Sequence, residues 1–449
     1  MSGRRIAALY AIWALPLLLV LSWVVPPWTN TDEPFHMLRA VQIAHGQIIG
    51  QRFENPDKTG PKGSGGLSDN AIFEAFAPLA KMSWLPDQPN GQVTRAMLAK
   101  SNTVKWHRDL GLAWFGATVR YPPFFYMPDI AGYWIGRAAG MHVNATLRLS
   151  RCLNALVFVA MAAVSIARAR RLRLLLATLL MLPMTLALAA SANQDGTMIA
   201  GMALIVAQLD RIAAENRRAR PWEFTALVCG MAVIIAARPP YIGLLPILLA
   251  VAPGHRAKLS LLAAAGAIAA WCAAVAYYAM RPLNGDPATK LLVLLAYPLS
   301  IFTIFAKTLH IYAATYAWQF VGLLAWNDTR LPLPYLALAY GTIVLAAAAS
   351  MAGPGLRSRF VLPCTLLVAA IMFAVQYLDW TPAGADHVDG IFGRYFLPPA
   401  LALGLALPAW CYASRLTVPA YLAIALFAVA TPAIMVHHIA MHFYIGLHT

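Results

Sequence analysis

The stretch that decides the fold runs from Arg4 to His36 and reads RRIAALYAIWALPLLLVLSWVVPPWTNTDEPFH. Two arginines precede an apolar run that lasts to about Pro27, and the first acids of the chain, Asp32 and Glu33, follow directly. The run resembles a signal peptide, but no small-x-small cleavage site follows it. It therefore reads as an uncleaved first membrane span with its N-terminus inside.

Working outward, the same pattern repeats. Sixty per cent of the 449 residues are hydrophobic and only 12% are charged, against roughly 25% in soluble domains. The bilayer must act as solvent for much of that surface, and long non-alternating apolar runs point to helices and exclude barrel strands. The net charge of +16 would suggest nucleic acid in a soluble chain. Here no basic patch with interleaved aromatics stands in a soluble segment, so the basic residues are read as topology signals and no nucleic-acid partner is expected. The cysteines Cys152, Cys229, Cys272, Cys364 and Cys411 fall in or beside spans and suggest neither a disulfide framework nor a zinc site.

Arginine-rich blocks sort the topology: Arg168 to Arg173, Arg211 to Arg220, Arg256 with Lys258, Arg357 with Arg359, and Arg415. Placing them all inside gives about eleven spans, at 6–27, 145–167, 174–191, 196–213, 223–237, 240–252, 259–280, 333–350, 360–379, 396–413 and 417–439. The C-terminus then lies outside. The two short stretches joined by Ala237-Arg238-Pro239-Pro240 read as a broken pair. Of the acids, only Asp210, Glu215 and Glu223 fall inside. The expected organisation is one integral membrane domain, 1–449, with two large outer segments, 28–144 and 281–332. The first holds a helix from Asp32 to Ile48, an irregular Gly/Pro/Asp-rich loop from Asn55 to Asn70, and an amphipathic interfacial stretch from Tyr121 to Gly140. In that last stretch Tyr121, Phe124, Phe125, Tyr126, Tyr133 and Trp134 are expected at headgroup level. The second outer segment reads as interfacial or re-entrant helices, with a full span as the alternative.

Chemistry concentrates at a few positions. Asp32 and Glu33, with His36 one turn on, suit a helix start capped by Thr31. They equally suit a carboxylate pair serving as general base towards a sugar hydroxyl, or holding a divalent cation. Asp195, in Ser191-Ala192-Asn193-Gln194-Asp195, interrupts an apolar run and is costly unless it faces a polar cavity. Arg120, Arg238 and Arg394 each sit beside a Pro-marked helix start on the outer side, against the charge bias. Interfacial snorkelling is the plain reading; bidentate binding of a lipid phosphate is the functional one. Asp389 and Tyr395 flank Arg394, and His437, His438 and His442 show metal-like helical spacing that interfacial histidines also explain. There is no Walker loop, no dinucleotide glycine fingerprint and no HExxH.

Taken in order, these stretches resemble the bacterial domain-of-unknown-function 2142 family of membrane proteins, which is placed with the GT-C glycosyltransferases. The resemblance rests on Asp32-Glu33-Pro34-Phe35-His36 with Arg39-Ala40 and Ile43-Ala44-His45-Gly46, then Tyr121-Pro122-Pro123 and Ala192-Asn193-Gln194-Asp195. It continues through Gly322-Leu323-Leu324-Ala325-Trp326-Asn327-Asp328-Thr329 and Gly393-Arg394-Tyr395-Phe396-Leu397-Pro398. It implies an all-α polytopic GT-C-like bundle in the bacterial cytoplasmic membrane, with its site facing the periplasm. The implied reaction moves a sugar from a polyprenyl-phosphate donor to a surface-glycan or lipid-linked acceptor. Asp32 would be the catalytic base. Glu33 and Asp195 would support it or bind a magnesium or manganese ion, the one cofactor the acids suggest. Arg238 and Arg394, joined by Arg120, would hold the donor phosphate, with His36, Asp389 and Tyr395 as accessory residues. Many GT-C enzymes carry a soluble C-terminal domain that this sequence lacks, which leaves acceptor recognition to the first outer loop. A transporter or flippase for a lipid-linked saccharide is the alternative, and would need the arginines but no base.

Overall fold

The computed structural model describes residues 2–53, 63–82, 93–281, 286–353, 356 and 358–445. The chain is mostly helical. α1 (Gly3–Val24) holds the opening apolar run; its 22 residues extend about 33 Å at 1.5 Å per residue, enough for a hydrocarbon core of about 30 Å. α2 (Glu33–Ala44) begins immediately after Asp32, whose backbone is left-handed at φ 59°, with Pro34 and Glu33 in the first turn. The rest of the first long segment contains α3 (Ala71–Phe76), α4 (Arg95–Asn102) and α5 (Met127–Ala138). A three-stranded antiparallel sheet joins them: β1 (Gln51–Phe53), β2 (Gly63–Ser68) and β3 (Gly111–Trp114), with β2 central.

β2 departs from expectation, since 55–70 reads as irregular. Residues 54–62 lie outside the described residues, but 63–68 pair on both sides. Gly65 shows why a glycine-rich strand serves here: a Cβ would stand 1.9 Å from the Ala113 carbonyl oxygen. The aromatic stretch also differs in part. Phe125, Tyr126 and Tyr133 are buried against protein, and of the six named aromatic rings Phe124 and Trp134 stay exposed. α5 packs lengthwise on α6 (Val143–Arg168), which also lines α1.

Beyond α6 come α7 (Arg173–Leu180) and α8 (Pro183–Ala189), α9 (Asp195–Ala214) and α10 (Pro221–Ala237). A 3-10 helix, Pro239–Val251, then leads to α11 (Arg256–Tyr278). α12 (Pro287–Ala296) and α13 (Ser300–Val321) are bent by 111° at their junction. β4 (Leu323–Leu324) and β5 (Thr329–Arg330) form a small hairpin before α14 (Leu333–Ala349) and α15 (Ser358–Asp379). α16 (Leu397–Leu403) and α17 (Thr417–Ala440) complete the bundle.

Among the described residues six helices are long and apolar enough to cross a membrane, or seven with the bent α12–α13 pair. The remaining expected spans are shorter elements. Stretch 174–191 breaks at Leu182-Pro183 into α7 and α8, because proline cannot continue a helix from the residues before it. α10 and α14 have 17 residues each, and stretch 396–413 is helical only to Ala406. The break at Arg238-Pro239 is present as expected. α13 lies along the segment after α15: Val388 N–H donates to Thr308 Oγ1 at 2.9 Å and Gly393 N–H to Gln319 Oε1 at 2.7 Å.

The first two arginine blocks meet at one end of the bundle with the three acids assigned to their side. Asp210 accepts from the backbone N–H groups of Arg170 and Arg171 at 2.7 and 2.9 Å, satisfying donors at the start of α7. Glu215 pairs with Arg211 and Arg217, and Glu223 pairs with Arg217.

Candidate functional site: an acid–arginine cluster

At the opposite end of the bundle, four side chains from four separate stretches meet. Asp32 precedes α2, Asp195 opens α9, Arg238 ends α10, and Arg394 lies in the 3-10 turn Gly393–Phe396. Arg238 Nη2 donates to Asp195 Oδ1 at 2.9 Å. Arg394 Nε lies 3.8 Å from Asp195 Oδ2, and its Nη2 donates to Asp32 Oδ2 at 3.3 Å. The charges thus alternate along a chain from Arg238 through Asp195 and Arg394 to Asp32.

Local sequence sets each position. Arg238 must leave the helix because Pro239 and Pro240 follow. Asp195 sits where a helix N-terminus favours a carboxylate, and its backbone N–H donates to Asn193 Oδ1 at 2.8 Å. Arg394 approaches α13 because its neighbour is glycine: a Cβ on Gly393 would stand 2.1 Å from the Tyr316 carbonyl oxygen. Aromatic rings hold both guanidiniums in place. Arg238 lies 3.9 Å from the Tyr395 ring centroid and Arg394 4.6 Å from that of Phe392. The Tyr241 hydroxyl fixes Tyr395 in turn by donating to its carbonyl at 2.7 Å.

Three donors in the cluster are buried with no hydrogen-bond acceptor among the described residues: Arg238 Nε, Arg394 Nε and Arg394 Nη1. Buried polar groups are nearly always satisfied, so orphaned guanidinium donors mark a place for an acceptor-rich ligand. A cavity of about 440 Å3 meets the cluster at Arg238 and is lined also by Tyr395, Tyr121 and Arg120 and otherwise mainly by apolar side chains such as Trp271 and Met372. Arg120 stands at this cavity rather than in the cluster, with Nη1 donating to Asp379 Oδ2 at 2.8 Å.

The Asp32 side chain keeps about a third of its surface exposed. Burial nevertheless raises its pKa above the ordinary value, with Arg394 opposing the shift and Asp195 reinforcing it. His36 lies one turn along α2, its Nδ1 2.6 Å from the Tyr126 hydroxyl and its ring stacked on Tyr121. Burial pushes its pKa down to about 3, so the imidazole is neutral at physiological pH. The αL geometry at Asp32 is supported from the β4–β5 hairpin. Thr31 Oγ1 donates to the Ala325 carbonyl at 2.6 Å and Trp326 Nε1 to the Trp28 carbonyl at 3.1 Å.

Glu33 and Asp389 are placed elsewhere. Glu33 is fully buried, and both its oxygens accept from Arg151, at 2.8 and 2.6 Å. They accept further from the backbone N–H groups of Ala192 and Trp28. Arg151 also donates to the carbonyls of Val25 and Pro26. This pair therefore ties the end of α1 to α2, α6 and the turn before Asp195. Asp389 accepts from the Tyr312 hydroxyl at 2.7 Å, on the segment that leads to Arg394. Among the described residues no three His, Cys, Asp or Glu side chains converge as metal ligands. Asp32, Glu33 and Asp195 do not fit a shared divalent cation, because each already faces an arginine. His442 instead lies 3.4 Å from Asp328, and His438 bonds to the Ile434 carbonyl. All five cysteines are free.

Arg151, Tyr126 and Phe392 are the contributors that motif reading missed. Arg151 had a signal: an arginine inside an apolar span needs a named partner.

The fold and the cluster define a class, a multi-pass helical membrane protein with a buried acid–arginine centre. The chain belongs to the family described as Predicted membrane protein (DUF2142), whose model matches residues 15–403. No curated protein and no solved structure matches this chain.

Proposed function

We propose that the protein is a GT-C type membrane glycosyltransferase that moves a sugar from a polyprenyl-phosphate donor to a surface-glycan or lipid-linked acceptor. The single observation that carries this reading is the pair of arginines with unspent donors, Arg238 and Arg394, standing beside one carboxylate that is partly open, Asp32. A phosphate between the guanidiniums would use the orphaned N–H groups. The apolar wall of the adjoining cavity suits the first part of a lipid tail. Asp32 then takes the proton of the acceptor hydroxyl as that oxygen attacks the anomeric carbon. One carbon–oxygen bond forms to the acceptor, the bond to phosphate breaks, and the lipid phosphate leaves with its charge held by Arg238 and Arg394. Asp195 orients both arginines, and neutral His36 shapes the wall behind Asp32. No metal enters this scheme.

In the same reading all eleven apolar stretches, including the short ones, cross the membrane. The arginine-rich end then faces the cytoplasm and the cluster faces the outside of the cytoplasmic membrane. The experiment is to supply the purified protein in vesicles with polyprenyl-phosphate sugars and measure release of free polyprenyl phosphate. Release that falls at least tenfold in Arg238→Gln and Arg394→Gln supports the reading. Release that is the same in wild type and both variants overturns it.

A further inference from the structure

A second cavity, of about 430 Å3, lies between α6, α9 and α10 and shares no residue with the one beside Arg238. Its volume falls among those of pockets that seat a small molecule, roughly 300–1,000 Å3. One end reaches Phe125 and Ile234; the other reaches Arg168, Gln208, Trp222 and Glu223 at the arginine-rich end of the bundle. Two glycines keep it open. A Cβ on Gly201 would stand 3.6 Å from Met161 Cε and Phe125 Cε1, and one on Gly230 3.4 Å from Ile205 Cδ1, so a methyl group fits at ordinary contact and a larger side chain would take up space in the groove.

The rim carries one uncommitted charge. Glu223 is spent on Arg217, which donates to its two oxygens at 2.7 and 2.9 Å, and on Gln208 at 3.0 Å. Arg168 is exposed and has no ion pair among the described residues. Trp222 is 61% exposed beside it, and an indole at that level is the usual anchor at a headgroup boundary. We infer that this groove binds one glycerophospholipid with an anionic headgroup, its phosphate on Arg168 and one acyl chain between α6 and α10. The charge decides the occupant: the walls accept any hydrocarbon, but only an anion answers the free guanidinium. A polyprenyl-phosphate donor is not the occupant, because its phosphate belongs with Arg238 and Arg394 at the other end. The inference rests on the reading above in one respect, the exclusion of the polyprenyl-phosphate donor from this groove; otherwise it needs only that the bundle sits in a bilayer.

The test is native mass spectrometry of the full chain in mixed micelles containing phosphatidylglycerol or phosphatidylcholine with the same acyl chains. One phosphatidylglycerol is retained per chain, about fivefold over phosphatidylcholine, as one arginine near a headgroup predicts. Arg168→Ala, an exposed substitution that leaves the fold intact, removes the preference. Gly230→Leu fills the groove and lowers retention of both lipids, while its melting temperature is kept or raised because leucine favours helix over glycine. Equal retention of the two lipids by wild type overturns the inference, as does phosphatidylglycerol retention unchanged in Arg168→Ala. Co-purification of polyprenyl phosphate in the groove, displaced by Gly230→Leu, also overturns it.

Discussion

Arg394 and Asp32 are 362 residues apart in the chain, yet Nη2 of one lies 3.3 Å from Oδ2 of the other. That contact closes the bundle, joining the turn after the first span to the turn before α16. It also places the most exposed carboxylate of the cluster next to a guanidinium with two spare donors.

The first prediction concerns the second arginine. Arg238→Lys keeps the charge but loses the planar fork and the stacking on Tyr395. Those interactions are worth up to about 2 kcal/mol when desolvated, so the donor KM should rise at least about tenfold. Steady-state kinetics with a polyprenyl-phosphate sugar measures this; an unchanged KM would show that Arg238 does not hold the donor.

A second prediction is the pH dependence. Asp32 acts as a base only when ionised, and burial raises its pKa. The acidic limb of kcat/KM therefore falls off at a higher pH than an exposed aspartate would give. Removing the opposing charge in Arg394→Gln raises the pKa further and moves that limb upward. His36, with its pKa pushed down to about 3, adds no step near neutrality. A limb that moves downward in Arg394→Gln contradicts this electrostatic account.

The third separates structure from chemistry at adjacent acids. Glu33→Gln leaves Arg151 buried without its carboxylate, and breaking such a pair costs about 3–5 kcal/mol. Thermal unfolding in detergent should show the loss, and Arg151→Met combined with Glu33→Gln should recover part of it. If Glu33→Gln melts like wild type but is inactive, Glu33 belongs to the reaction instead.

A fourth tests the sheet of the first long segment. Gly65→Ala puts a methyl group against the Ala113 carbonyl, and the backbone must part. Overpacking of this kind costs about 1–3 kcal/mol, visible as faster proteolysis within residues 45–120. Unchanged proteolysis would mean that β2 and β3 are less tightly joined than this register requires.

Much of this was legible beforehand, for physical reasons. Hydropathy located the helices because an apolar stretch of the right length has few other places to go. The prolines after Arg238 and the polar residues before Asp195 marked the breaks, because each interrupts a helix at a definite residue. What could not be read was partnership. Asp32 and Glu33 are neighbours with the same chemistry, but successive residues at a helix start point in different directions. One meets Arg394 and the other Arg151, and only packing decides which. The sheet escaped notice because its central strand is built on glycines, which carry no strand signal of their own. Helix continuity escaped notice in the same way: the apolar stretch 174–191 is divided at Leu182-Pro183 into α7 and α8, and α16 passes into a 3-10 turn that ends at Ala406.

The most direct measurement is sugar transfer by Asp32→Asn from a polyprenyl-phosphate sugar, with donor binding followed in the same preparation. Asparagine keeps the shape and can still bond to Arg394, so donor affinity should stay within a few-fold of wild type. Transfer should fall by about 10²–10⁴-fold, the usual contribution of a general base. Full transfer activity in Asp32→Asn would contradict the account.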